Sequence, residues 1–200
     1  MDLRAWACAV LVAAAGAGCA STGEGGAAAE KEYTQEEEMA AWNTVANPGP
    51  EHARMAAEAG EWTVKSTAWM APGALPMESV GSARIHMVLD GRFQVMEYEG
   101  NMMDMSFKGM GTTGYDILAK KYVGTWCDSM GTMIMISEGT RDASGAVTMW
   151  SEWNDPLGRR TVSRMVSTMV DADHMHMEMH CRVGSKPETK VMELDFTRKK

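Results

Sequence analysis

Residues 82–99 read SARIHMVLDGRFQVMEYE. Asp90-Gly91 in the middle is a two-residue hairpin signal, because both residues tolerate the left-handed backbone that such a turn requires. The dipeptide predicts strands over 78–89 and 92–99. The same texture runs outward in both directions. From Glu61 onward β-branched and aromatic residues dominate, and turn residues recur every ten to fifteen positions. Further strands are expected over 61–69, 105–115, 120–127, 132–140, 146–153, 159–170, 174–183 and 189–198. Ala143-Ser144-Gly145, Asn154 to Gly158 and Asp171-Ala172-Asp173 supply breaks. No helical run long enough for a crossover separates the strands, which excludes a parallel α/β sheet. The expected fold is all-β, one up-and-down antiparallel barrel of about ten strands over 61–200, since closure removes the open edges. Gly100, Gly109, Gly111, Gly114 and Gly124 sit in or beside strands and would let a barrel coil sharply.

One or two short helices over 34–60 precede the barrel. Thr34 and Glu37 match a capping box, and Met39 and Trp42 share a face. Asn47-Pro48-Gly49 ends that element, and Pro50 suits the start of a second helix closed by Gly60. Residues 1–19, MDLRAWACAVLVAAAGAGC, combine a basic start, a short apolar run and small residues before Cys19. They resemble a bacterial lipoprotein signal, in which Cys19 is acylated; ordinary cleavage near this point is the alternative. Residues 20–33 are small and polar and read as a flexible tether. The expected location is the bacterial cell envelope, with membrane attachment through Cys19.

The formal net charge of -8 argues against nucleic acid, which needs clustered Lys and Arg. Methionine is the outlier, with 21 residues. Its flexible thioether fills irregular interiors and lines adaptable binding surfaces. Beyond the signal, Cys127 and Cys181 remain; they either pair in an oxidising compartment or stay as two buried thiols.

In a meander, alternate connections share an end. Those after strands two, four, six and eight are mostly short and rich in Asp and Gly. Those after strands one, three, five and seven carry Met70, Leu75, Pro76, Met77, Met102, Met103, Met130 and Leu157, flanked by Trp69, Met105 and Met133, and the one after strand nine is a polar Gly184-Ser185 turn. Apolar loops gathered at one end mark a ligand mouth, a partner-binding rim or a plug. Val64, Trp69, Met77, Met103, Met105, Met133 and Met135 are the candidate lining residues for a small apolar molecule. A protein-protein rim is the second reading. A haem or metal barrel is the third.

The strand HMHMEMHC, 174–181, places Met175, Met177, Met179 and Cys181 on one face and His174, His176, Glu178 and His180 on the other. The thioether face is expected inward and the imidazole face in solvent. His174 and His176 are close enough in sequence to share one ion, but no other His or Cys cluster completes a ligand set, so no metal and no cofactor are expected. No G-x-S-x-G elbow, phosphate loop or H-E-x-x-H is present, and no enzymatic activity is expected.

Several stretches carry a family resemblance: PGPEHARMAAEAGEW (48–62), WMAPGALPMES (69–79), LDGRF (89–93), MGTTGYD (110–116), KKYVGTWCDSMGT (120–132) and FTRKK (196–200). Together they resemble the bacterial family known as domain of unknown function 1579, over about residues 48 to 200. Gly60-Glu61-Trp62 also resembles the G-x-W signature of the calycin barrels, which include lipocalins, fatty-acid-binding proteins and nitrobindins. That likeness implies a structural role for Trp62, with Arg198 stacked on its indole.

Overall fold

The computed structural model describes residues 31–102 and 105–200. Cys19, the signal segment and Met103 lie outside the described residues. Helix α1 (Gln35–Ala46) starts at the expected capping box: Thr34 Oγ1 accepts from the Glu37 amide, and the Glu37 carboxylate accepts from the Thr34 amide. No residue of α1 is buried. Helix α2 (Pro50–Ala57) has proline at its first position and buries His52 and Met55.

Ten strands follow in chain order: β1 (Gly60–Ala68), β2 (Met77–Val88), β3 (Phe93–Met102), β4 (Met105–Asp116), β5 (Lys121–Asp128), β6 (Met135–Arg141), β7 (Val147–Asn154), β8 (Arg160–Met169), β9 (His174–Val183) and β10 (Thr189–Arg198). Each pairs antiparallel with its sequence neighbours, and β1 closes on β10. The chain is therefore the expected up-and-down barrel. Two local expectations change. The β2–β3 turn spans four residues rather than two. Val88 pairs with Phe93, and Leu89, Asp90 and Gly91 all take positive φ. β6 begins at Met135 rather than 132, so Met133 lies in the preceding connection.

Period two sorts the side chains. Trp62, Val64, Ala83, Ile85, Met175, Met177 and Phe196 point inward and form one buried cluster. Tyr122, Val147 and Met149 form a second with Met55 of α2. Met165 packs against both. The thioether face of β9 is thus inward and its histidines outward, as its alternation requires.

The glycines of β4 have a different use from the one expected. A Cβ on Gly109 would lie 2.2 Å from Trp126, and one on Gly111 would lie 3.0 Å from it. Gly111 stands opposite Trp126 in the ladder. The two bare positions form a slot in which the indole lies flat against the neighbouring strand. Shape complementarity, more than coiling, requires glycine there.

Candidate functional site: the lumen and its two ends

One end of the barrel is shut. Helix α2 packs against β2, β3 and β4 at the end that carries the turns after β2, β4, β6 and β8, and charged and polar groups tie it down. Arg54 donates to the Gly145 carbonyl at 2.8 Å, in the β6–β7 turn. Gln94, buried on β3, donates to the Met55 carbonyl and to the Glu58 carboxylate, both at 2.9 Å. Burial pushes the Glu58 carboxyl above its ordinary range. Glu51 accepts from the Tyr122 hydroxyl and from Arg141, whose Nε lies 3.0 Å away. The Arg141 hydrogen bonds hold Glu51 down at about 2. Burial, then the Glu51 contact, pushes Tyr122 up to about 12.

The same end carries the G-x-W element. The Arg198 guanidinium stacks 4.2 Å from the centre of the Trp62 ring. Arg198 also donates to the carbonyls of Ala57, Ala59 and Ala172, and the Trp62 indole donates to the Glu58 carbonyl at 3.0 Å. Gly60 has φ +148°, and a Cβ there would meet Arg198 at 2.5 Å. Both facts explain the glycine: its backbone is unusual, and the guanidinium needs its space.

The other end differs. Here the connections after β1, β3, β5, β7 and β9 converge. Met70, Leu75, Met77, Met105, Met130, Met133, Ile134 and Leu157 are all exposed. Towards this end several inward-facing apolar residues are only half-buried, although the polar Ser66, Thr161 and Ser163 beside them are buried. Tyr98, Phe107, Trp126, Met135, Met165, Met179 and Met192 point inward, yet each keeps some accessible surface. Polar groups are interspersed. Ser66 and Tyr98 hydroxyls lie 3.4 Å apart, and the Trp153 indole donates to Ser163 Oγ at 3.3 Å. Ser163 Oγ in turn lies 3.2 Å from Cys181 Sγ.

The candidate lining residues divide accordingly. Met77, Met105, Met133 and Met135 lie at the mouth end, Met135 directly opposite Trp126. Val64 is 0 % exposed, in the packed floor with Trp62 and Phe196, because shear places its level below the open half. Trp69 has the outward parity of β1 and lies under the Lys190 ammonium on the outside of the wall, 5.2 Å from ring centre to nitrogen.

The outer histidines do not converge. His174 pairs with Asp171 at 2.8 Å and His176 with Asp195 at 2.7 Å. His176, Glu178 and Glu193 come together, but Lys190 already bonds both glutamates and supplies the cation there. His86 lies on the outward parity of β2, and His52 is buried in α2, so no histidine faces the upper lumen. Among the described residues the two cysteines, Cys127 and Cys181, are free and lie on opposite sides of the wall. Cys181 faces inward beside Ser163; Cys127 faces outward, opposite Met110, and neither thiol is fully buried. Opposite parity, not distance along the sheet alone, keeps them apart. Two concavities mark the outside. One of about 570 Å³ runs over β2 to β5 beside Arg84, Glu97, Lys108 and Cys127. The other, about 280 Å³, lies between α2 and the β2–β3 and β4–β5 turns.

These features define a calycin-like barrel with one end plugged by a helix and an arginine–tryptophan stack. More specifically, the chain belongs to the family of proteins of unknown function DUF1579, whose sequence model matches residues 47–198. No curated protein sequence matches the chain. Among solved structures it is similar to Rv2717c from M. tuberculosis, with a TM-score of 0.56 and 12 % identity over 77 % of this chain and 100 % of that one. It is also similar to the S-type phycobiliprotein lyase CPES from Guillardia theta, with a TM-score of 0.54 and 14 % identity over 75 % and 93 % of the two chains. At such identities the likeness concerns the fold.

Proposed function

We propose that this protein is an exported, lipid-anchored binding protein that holds a small apolar molecule in the upper half of its barrel, entered past the Met-rich end. The observation that carries this reading is the polarity of the lumen. Its floor is packed and sealed by α2, while its upper half keeps thioether and aromatic side chains inward and incompletely covered. Apolar surface left accessible inside a closed sheet is stabilised by an apolar occupant. The interspersed hydroxyls of Ser66, Tyr98 and Ser163 give such an occupant one polar end to place. The barrel likeness to a phycobiliprotein lyase is compatible with holding a ligand. Among the described residues no imidazole faces that space, which disfavours a haem there.

Native mass spectrometry of purified protein before and after exposure to fatty acids or a lipid extract tests the reading. One added mass per chain supports it. Unchanged, ligand-free protein under all conditions refutes it. The exposed Met70, Met130, Ile134 and Leu157 favour a second reading, a rim that docks a protein of the envelope. Pull-down with those residues changed to Ser separates the two: loss of a partner with ligand content unchanged favours docking.

A further inference from the structure

The strand register brings together a set of side chains that the sequence scatters. Met149 on β7 stands directly opposite Met165 on β8, Met165 opposite Met179 on β9, and Met179 opposite Met192 on β10. Four thioethers therefore form one continuous rung across four adjacent strands, all facing the lumen. Directly opposed Cβ atoms lie roughly 5 Å apart. A methionine arm is long and free to rotate, so three neighbouring sulfurs on such a rung can converge on one point. Met149 anchors the rung in the floor cluster and Met165 borders both clusters, whereas Met179 and Met192 are incompletely buried and belong to neither, so their thioethers are free to turn towards a shared point. The rung above adds Ser151, Ser163 and Cys181, again in direct register. Cys181 is a free thiol, one inward position along β9 from Met179.

No carboxylate or imidazole lies on either rung. Hard cations find oxygen donors poorly arranged here, whereas neutral sulfur donors select a soft, low-charge ion. We propose that the rung Met149–Met165–Met179–Met192, with Cys181 at its edge, is a binding site for a soft monovalent metal ion, copper(I) in kind. The site needs the upper lumen to be open, as does the apolar-ligand reading, but it does not depend on an apolar molecule being the occupant.

The test uses protein in which Cys8, Cys19 and Cys127 are changed to Ser, so that Cys181 is its one remaining thiol; this reference, called wild type below, is titrated with silver(I), a redox-inert probe of the same softness, and with copper(I) against a chromophoric chelator. It takes up one ion per chain. The Met165→Leu/Met179→Leu variant conserves volume and is expected to fold with a urea midpoint near that of wild type. It removes two ligands, so its affinity falls by more than the roughly 10- to 100-fold that loss of an outer-shell partner costs. Met110→Leu, changed only on the exposed outer face of β4, binds as wild type. Absence of a stoichiometric ion in wild type, retention of affinity in the lumen variant, or loss in the outer-face variant each overturns the proposal. Quenching of tryptophan by a brominated fatty acid is read on the same variants. If it persists where silver binding is lost, the two occupants are separate; if silver fails in wild type while quenching holds, only the metal site falls.

Discussion

Replacing Glu51 by Gln tests how the closed end is held. The Glu51 carboxylate receives the Tyr122 hydroxyl and two nitrogens of Arg141, joining α2 to β5 and β6. These contacts lower its pKa from 4.5 to about 2. A lowered carboxylate stabilises the fold fully above its unfolded value, and that contribution is lost as pH falls from about 4.5 towards 2. At roughly 1.4 kcal/mol per pH unit the ceiling is about 3 kcal/mol. The side chain of Glu51 is 17 % exposed and that of Arg141 is 37 % exposed. Solvent screening on that side leaves about 2 kcal/mol. Urea unfolding of wild type and Glu51→Gln at a series of pH values is the assay. The variant should be about 2 kcal/mol less stable at pH 7, and the two curves should meet near pH 2. Other lowered carboxylates, such as Asp155 and Glu188, contribute equally to both proteins and cancel in the difference. A gap that stays the same at pH 2 and pH 7, or no gap at all, refutes the argument.

Trp62→Ala empties the centre of the floor cluster and should cost about 3–5 kcal/mol by urea midpoint, whereas Arg198→Lys should cost about 1–2 kcal/mol, through loss of the flat stack and of one or more carbonyl contacts. Gly109→Ala drives a methyl into the Trp126 slot; we expect about 1–3 kcal/mol of destabilisation and an altered near-ultraviolet circular dichroism signal, and an unchanged signal would show that the indole lies elsewhere. A maleimide should label Cys127 on the outer wall well before Cys181, whose thiol is pushed up by burial; mass spectrometry of partly labelled protein reads the order, and equal rates would contradict the opposed parities.

Period-two patterning made the architecture legible. The alternation in HMHMEMHC assigns inside and outside of β9 without any knowledge of the other strands, and the meander follows from the short connections. Gly60-Glu61-Trp62 and Arg198 were legible because their partnership is a recurring one, and the stack forms at 4.2 Å. What stayed hidden depends on level and register. Val64 has the right parity for the lumen but the wrong height, which shear sets and no single strand reveals. Trp69 has outward parity, and its place under Lys190 depends on how β10 lines up with β1. The Glu51–Tyr122–Arg141 clamp joins residues 71 and 90 positions apart, so local pattern gives no hint of it. The β4 glycines looked like bending sites because the ring they accommodate, Trp126, belongs to the next strand.

The central claim is that the upper lumen admits an apolar molecule. A fatty acid brominated along its chain quenches tryptophan only on close contact, and Trp126 and Trp153 both face that space. Titration of wild type should give saturable quenching that largely disappears in Trp126→Phe/Trp153→Phe. Absence of saturable quenching in wild type, or its full persistence in that variant, would contradict the account.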